Sequence, residues 1–129
     1  MRVQDDSEGE MIALLNRAFG QKIVSNFLPA GWSPDKGVHV TVESDGTPIS
    51  SRGWTRETLR ITVHGKVKSQ VTKTMRLVDG FVLSPRQGHF LSVKPGAGMI
   101  TTPDSRLGGF LSSATYRVAK PRMILQGDR

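Results

Sequence analysis

The sequence predicts an α+β fold, in which a mainly antiparallel or mixed four-stranded sheet carries two helices packed on one face. One observation is the order of the periodic segments, which runs helix, strand, strand, helix, strand, strand. Another is that each helical segment carries a single apolar stripe, which a sheet can cover. The chain of 129 residues fits one domain, residues 1–129.

The first helix is predicted over residues 7–27. Ser7 and Glu10 have the spacing of a capping box, which satisfies backbone donors at a helix start. Gly20 weakens the later part of the helix. The apolar residues of this segment recur at helical spacing and predict a core-facing stripe: Met11, Ile12, Leu15, Phe19 and Ile23.

A loop is predicted over residues 28–37, because this stretch holds two prolines and two glycines. Trp32 lies within it and allows two interpretations. Its ring either plugs the core or forms an exposed contact, and the plug is the favoured interpretation.

The sheet and the second helix are predicted within residues 38–120. The second helix follows the second strand almost directly, with Ser69 as its N-cap. Its threonines and glycine make it weak in isolation, so packing on the sheet must hold it. Four segments alternate apolar and polar residues and predict half-buried strands: 38–44, 54–65, 89–95 and 110–120.

The connecting segments 45–53 and 96–109 are rich in Gly, Ser and Pro and are predicted to be extended or mobile loops. The stretch "PGAGMI" at 95–100 has two glycines spaced as in a dinucleotide fingerprint. It lacks the third glycine and a following helix, so it too is predicted to be loop. Residues 121–129 are predicted to be a frayed tail.

The net charge of +7 is unevenly distributed along the chain. Residues 1–45 hold seven acidic and four basic side chains, whereas residues 46–129 hold four acidic and fourteen basic ones. Such asymmetry indicates an anionic partner, or complementary ends that meet in an assembly.

Cysteine is absent, which excludes disulfides, thiolate zinc sites and iron–sulfur clusters. No apolar run approaches the length of a membrane span, and the acidic start predicts synthesis without a secretory signal, in a cytoplasm.

The residue patterns predict no catalytic, metal or cofactor site. His39, His64 and His89 do not have the spacing of a helical zinc motif. Glu57 and Asp104 remain as possible catalytic carboxylates. Neither has an evident partner, and we interpret them as a solvated strand residue and a turn-former. We therefore expect a protein that is not an enzyme and needs no cofactor.

A run of basic residues extends from the central loop through the second helix and would suit a nucleic acid backbone. The aromatic residues that stack on bases are sparse, and no nucleic-acid-binding motif is present. Two alternatives stay open, a basic nucleic-acid-binding module and a surface that meets an acidic neighbour. The run comprises Arg52, Arg56, Arg60, Lys66, Lys68, Lys73 and Arg76.

The pattern over residues 8–120 resembles the tail terminator proteins of long-tailed bacteriophages, particularly those infecting actinobacteria. A helix is followed by "VHVTVESDG", a loop, "ETLRITVHGKVKSQVTKTMRLVDGFVLS" and the late "TTPDSRLGGFLSSATYRVAK". In that family a strand enters a helix through a short joint, as "LRITVHGKVKSQVTKTM" does here. A Pro-Asp loop, here Pro103-Asp104, precedes a last strand with an aromatic-Arg pair, here Tyr116-Arg117.

The resemblance implies a structural virion protein in the tail-neck region, made in the host cytoplasm. Such subunits close into a ring, usually of six, which caps the tail tube, stops its polymerisation and joins the tail to the head. The implied partners are further copies of the chain, the major tail tube protein, the head-completion protein and the tape measure protein, with DNA passing through the lumen without sequence-specific binding. Another neck or tail-completion protein is the alternative within this class. We expect these residues at interfaces: Arg52, Trp54, Arg56, Arg60, Lys68, Lys73, Arg76, Asp104 and Arg106.

Overall fold

Two helices and a mixed sheet form the computed structural model, so the predicted α+β class is confirmed. The structure describes residues 2–3, 7–45, 49–51, 54–84, 90, 92–121 and 123–124. The helices are α1 (Ser7–Phe19) and α2 (Lys68–Val82). The strands are β1 (Arg2–Val3), β2 (Val24–Ser25), β3 (His39–Ser44), β4 (Ile49–Ser51), β5 (Trp54–Gly65), β6 (Ser92–Pro95), β7 (Ile100–Pro103), β8 (Phe110–Pro121) and β9 (Met123–Ile124).

The main sheet has the strand order β2-β3-β5-β8-β6, with β4 also paired to β5 and β7 also paired to β8. Seven strands therefore form it within the described residues, rather than the four expected. All its pairs are antiparallel except the short parallel pair of β2 with β3. A separate two-stranded ribbon joins β1 to β9, so part of the predicted frayed tail is paired.

The long pair of β5 and β8 forms the centre of the sheet. Its register runs without interruption from Trp54 opposite Pro121 to Gly65 opposite Phe110. Side chains alternate between the two faces of a strand, and directly paired residues share a face. One face is therefore apolar, and its buried members from β3, β5 and β8 are Val40, Val42, Leu59, Ile61, Val63, Ala114, Tyr116 and Val118.

Both helices cover this apolar face, as predicted. Met11 and Leu15 of α1 belong to the same buried cluster as the strand residues, and so do Val71 and Met75 of α2. The Tyr116 hydroxyl, on the core face of β8, donates a 2.7 Å hydrogen bond to the carboxylate of Asp79 on α2. Burial raises the pKa of Tyr116 far above its ordinary range, and the hydrogen bond to Asp79 and the charge of Asp79 raise it further.

The first helix ends at Phe19, so the prediction of a helix over 7–27 is wrong beyond that residue. Gly20 has a φ of 70°, a left-handed conformation that glycine adopts at low cost, and its amide donates to the carbonyl of Asn16 at 3.0 Å. The Asn16 side chain then makes two hydrogen bonds with the backbone of Val24, at 2.9 and 3.0 Å. These contacts hold β2 beside α1, so the chain does not continue as a helix after Phe19.

The second helix starts one residue before the predicted cap, and Ser69 lies inside its first turn. Val67 occupies the N-cap position and makes no side-chain capping hydrogen bond. The predicted loop at 45–53 contains β4, and the one at 96–109 contains β7. Strands this short carry too few residues to show a periodic pattern.

The glycine-containing stretch at 96–99 is a bulge in the strand path along β8, not a free loop. The Gly96 amide donates to the Thr115 carbonyl at 2.8 Å, and the Ala97 amide donates to the Thr115 hydroxyl at 2.7 Å. A Cβ on Gly96 would collide with the Thr115 side chain, so glycine is required for this close approach. The bulge separates β6 from β7 on the same side of β8.

We predict that Tyr116→Phe lowers the free energy of unfolding by about 1.5 kcal/mol, because it removes a hydrogen bond to a charged group. Urea denaturation followed by circular dichroism measures this. The control is Tyr116→Phe in an Asp79→Ala background. In that background the substitution should lower the free energy of unfolding much less. Equal costs in the two backgrounds would show that the hydroxyl does not act through Asp79.

Candidate interaction surface

The second face of the sheet points away from both helices. Residues directly opposite one another across the strands place their side chains together on this face. The face is polar and strongly charged, in contrast to the core face. From β3, β5, β8 and β6 it carries His39, Thr41, Glu43, Arg56, Thr58, Arg60, Thr62, His64, Ser113, Thr115, Arg117 and Lys94.

Trp32 covers one end of this face. Its ring centroid lies 6.4 Å from that of His39 and 6.0 Å from that of His64, and the two histidines are direct cross-strand partners. His39 Nε2 lies 2.7 Å from the Ser25 hydroxyl, and His64 Nε2 lies 3.2 Å from the Thr41 hydroxyl. The prediction that Trp32 plugs the core is therefore wrong, because its ring packs on two histidines of the polar face.

The surroundings of the two histidines favour the neutral form of each imidazole. Burial lowers the pKa of His39 and of His64. The charge of Asp104 opposes the shift at His64, whereas the charges of His39 and Arg106 lower its pKa further. Nδ1 of His64 is buried and has no hydrogen-bond partner among the described residues. A proton on either ring would enter a poorly solvated site beside a second imidazole.

The other end of the face is open and basic. An open groove of about 400 Å³ is lined by Arg56, Lys94 and Arg117, together with Ser92, Pro95, Val118 and Ala119. Lys94 and Arg117 are direct cross-strand partners, and both are exposed. Like charges directly opposite each other destabilise a strand pair, so this arrangement lowers the stability of the pair of β6 with β8. We call Arg56, Lys94 and Arg117 the basic groove.

Arg60 lies between the two ends and is already paired. Its guanidinium forms a 3.0 Å salt bridge with Asp45 and lies 3.3 Å from the Ser113 hydroxyl. Its side chain is 41% exposed, so this ion pair contributes little to stability. The pair instead fixes the direction of Arg60 along the face.

The basic run seen in the sequence is divided between two sides of the molecule. Arg56 and Arg60 belong to the open sheet face, whereas Lys68, Lys73 and Arg76 are exposed on α2, which packs on the opposite face. The run therefore does not form one continuous surface. Arg52 lies outside the described residues. Trp54 begins β5, but its side chain is likewise outside the described part.

Asp104 and Arg106 lie in the turn before β8. One carboxylate oxygen of Asp104 accepts hydrogen bonds from the amides of Arg106 and Leu107, at 3.0 and 3.1 Å. Asp104 is thus a turn-former, as the sequence suggested, and its charge reaches His64. Arg106 is exposed at the same turn.

Sequence reasoning missed Lys94 and Arg117 as a pair. Each lies in a predicted strand, and the parity of the last strand already separates Arg117 from the apolar residues Tyr116 and Val118. The register of β6 against β8 sets Lys94 opposite Arg117. This register depends on how the two strands pair in the folded protein, and the sequence pattern of a single strand does not contain it.

Other groups that catalysis or metal binding would need are separated or already engaged. Glu57 accepts a 2.7 Å hydrogen bond from the Ser44 hydroxyl. Among the described residues, no three His, Asp or Glu side chains converge on a point where a metal ion would fit. His89 lies outside that part of the chain. Within the same part, neither helix has the length and apolarity to cross a membrane.

No protein-family model matches the chain, and a search of curated protein sequences finds no significant match.

We predict that the free energy of unfolding falls as the pH drops below about 6.5, the ordinary pKa of histidine. The lowered pKa of His39 and His64 means that the unfolded chain binds more protons than the folded chain in this range. Urea denaturation between pH 7.5 and pH 5 would measure this, with Trp32 fluorescence isolated in a Trp54→Phe background.

His64→Gln supplies the control for this pH dependence. Glutamine does not titrate, yet it retains an amide that can bond to Thr41, so the slope of stability against pH should decrease. An unchanged slope would assign the effect to other groups.

Proposed function

We propose that this protein is a structural subunit of a phage tail, which closes into a ring and terminates the tail tube. The sheet face with an open, charged half is the observation that carries the proposal. Such a surface suits repeated contact with a neighbour more than it suits an isolated subunit, since the like-charged Lys94 and Arg117 lie directly opposite each other. The resemblance over residues 8–120 supplies the family.

The mechanism is geometric. A ring forms when one subunit presents two different surfaces to its neighbours and the rotation between them closes. The ring binds the last layer of tube subunits, stops further addition and offers its other side to the head-completion protein. The β5–α2 unit supports this role, because only Lys66 and Val67 separate the strand from the helix and both elements share the core.

The partners in this proposal are copies of the same chain, the major tail tube protein, the head-completion protein and the tape measure protein. The subunit would reside in the neck of the virion, where DNA passes through the lumen without sequence-specific contact. It needs no catalytic residue and no cofactor for this role. Another neck or tail-completion protein remains the alternative within the same class.

A basic nucleic-acid-binding module is the second candidate function. The exposed cations Lys68, Lys73 and Arg76 on α2 favour it, because they lie within three helical turns and can approach phosphates. Against it stands Trp32, whose ring packs on His39 and His64 instead of offering a stacking platform for bases.

We predict that the purified protein forms closed rings that cosediment with tail tubes. Sedimentation velocity and electron microscopy would detect the rings. The variant Lys68→Glu/Lys73→Glu/Arg76→Glu reverses the charge on the side of α2 that faces away from the sheet, and it should weaken cosedimentation with tubes.

The nucleic-acid candidate makes a different prediction for the same triple variant. A monomeric wild-type protein with submicromolar affinity for duplex DNA, a steep dependence on salt concentration and loss of that affinity in the triple variant would contradict the ring.

A further inference from the structure

The segment at residues 28–37 lies on the sheet without entering the core. None of its residues is buried, and none belongs to the buried cluster that the described residues form. In the described part of the chain, the hydrogen bonds from its amides, those of Trp32, Lys36 and Gly37, all end on carbonyls of the same segment. A segment with so few attachments can separate locally while the rest of a protein stays folded. We call residues 28–37 the lid segment.

Two specific contacts join the lid segment to the sheet within the described residues. The Trp32 ring packs on His39 and His64 of the polar face. The Asp35 carboxylate forms a 2.9 Å salt bridge with Lys66. Both side chains of this salt bridge are mostly exposed, so it contributes little to holding the segment. The contact of Trp32 with the two imidazoles is therefore the main attachment.

The histidine pair under Trp32 is poorly suited to binding a proton. The two residues are direct cross-strand partners, and His39 and His64 are only 7% and 8% exposed. An imidazolium donates hydrogen bonds through both ring nitrogens. Nδ1 of His64 is buried and has no acceptor among the described residues. A proton on one ring also disfavours a proton on the other, because like charges repel across a strand pair.

The charges that reach His64 do not remove this penalty. Asp104, in the turn before β8, favours a proton on His64, whereas Arg106 of the same turn and His39 oppose it. Burial has the largest effect on both rings, and the pKa of each histidine is lowered.

The other elements packed against the pair supply no unpaired carboxylate beside it within the described residues. Asp35 of the lid segment is bonded to Lys66, which follows β5. Glu43 shares the face of β3 but lies four residues further along, which is about 13 Å. β2 and β8 place the neutral side chains of Ser25 and Leu111 beside the histidines.

We propose that the lid segment and the histidine pair form a pH switch, in which protonation of the imidazoles releases Trp32 and uncovers this end of the sheet face. Below about pH 6.5, the ordinary pKa of histidine, uncovered imidazoles bind protons that the covered ones disfavour. Acid therefore favours the open lid, while the sheet and the helices stay folded. The accessible extent of the polar face then depends on pH. This inference does not depend on the proposed ring.

NMR titration of the histidine ring protons tests the coupling. Linkage is reciprocal, so a lid that is released by protons must itself oppose protonation. The pKa values of His39 and His64 should therefore be higher in Trp32→Ala than in the wild type, whereas that of His89 should not change. Unchanged pKa values would overturn the switch. Lower values would overturn it too, because they would mean that the Trp32 ring stabilises an imidazolium.

Acrylamide quenching of Trp32 fluorescence measures the opening itself. Trp54→Phe leaves Trp32 as the single tryptophan of the chain. The quenching constant should rise between pH 7 and pH 5, because the ratio of open to closed lids increases about tenfold when uncovering raises the pKa of a histidine to its ordinary value. Far-ultraviolet circular dichroism should stay constant over this range, which separates opening of the lid from unfolding.

His39→Gln/His64→Gln is the variant that removes the switch. Glutamine keeps an amide that can bond to the hydroxyls beside each imidazole but does not titrate, so quenching of Trp32 should become independent of pH. His89→Gln is the matched control and should retain the wild-type pH dependence. The switch is wrong if the wild-type quenching constant does not change, if its change survives in the double variant, or if it accompanies loss of the circular dichroism signal.

Discussion

The continuous pairing of β5 with β8 is the constraint on which the rest of the structure depends. Side chains alternate with a period of two, so a slip of one residue would exchange the two faces of every paired position. The register from Trp54–Pro121 to Gly65–Phe110 sends one set of residues under the helices and the other set to the open face. It also brings Tyr116 under Asp79 and aligns Arg117 with Lys94.

The spacing of apolar residues predicted the strands and helices that are long enough to show a strand or helix period. The strand at 54–65 is confirmed residue for residue, and the last strand differs from its prediction by one residue. The first helix was predicted too long because its end depends on Gly20 and on the tertiary bonds from Asn16 to Val24. The short strands β2, β4 and β7 lie below the length at which periodicity is visible.

The sequence predicted that the candidate surface is basic, but not which basic residues lie together on it. The sequence shows a basic run, and the structure divides it, because a strand and a helix that are adjacent in the chain lie on different layers. Arg56 and Arg60 lie on the open face, while Lys68, Lys73 and Arg76 lie beyond the core. In the proposed ring, the same layering would give each subunit separate surfaces for lateral neighbours and for partners along the tail axis.

Lysine acetylation footprinting tests most directly whether a second copy covers the open half of the sheet. Reactivity would be measured by mass spectrometry on the free subunit and on the assembled protein. The proposed ring predicts that Lys94 becomes protected on assembly, whereas the exposed Lys22, which precedes β2 at the opposite edge of the sheet from β6, stays reactive. Equal labelling of Lys94 in the subunit and in the ring would contradict it.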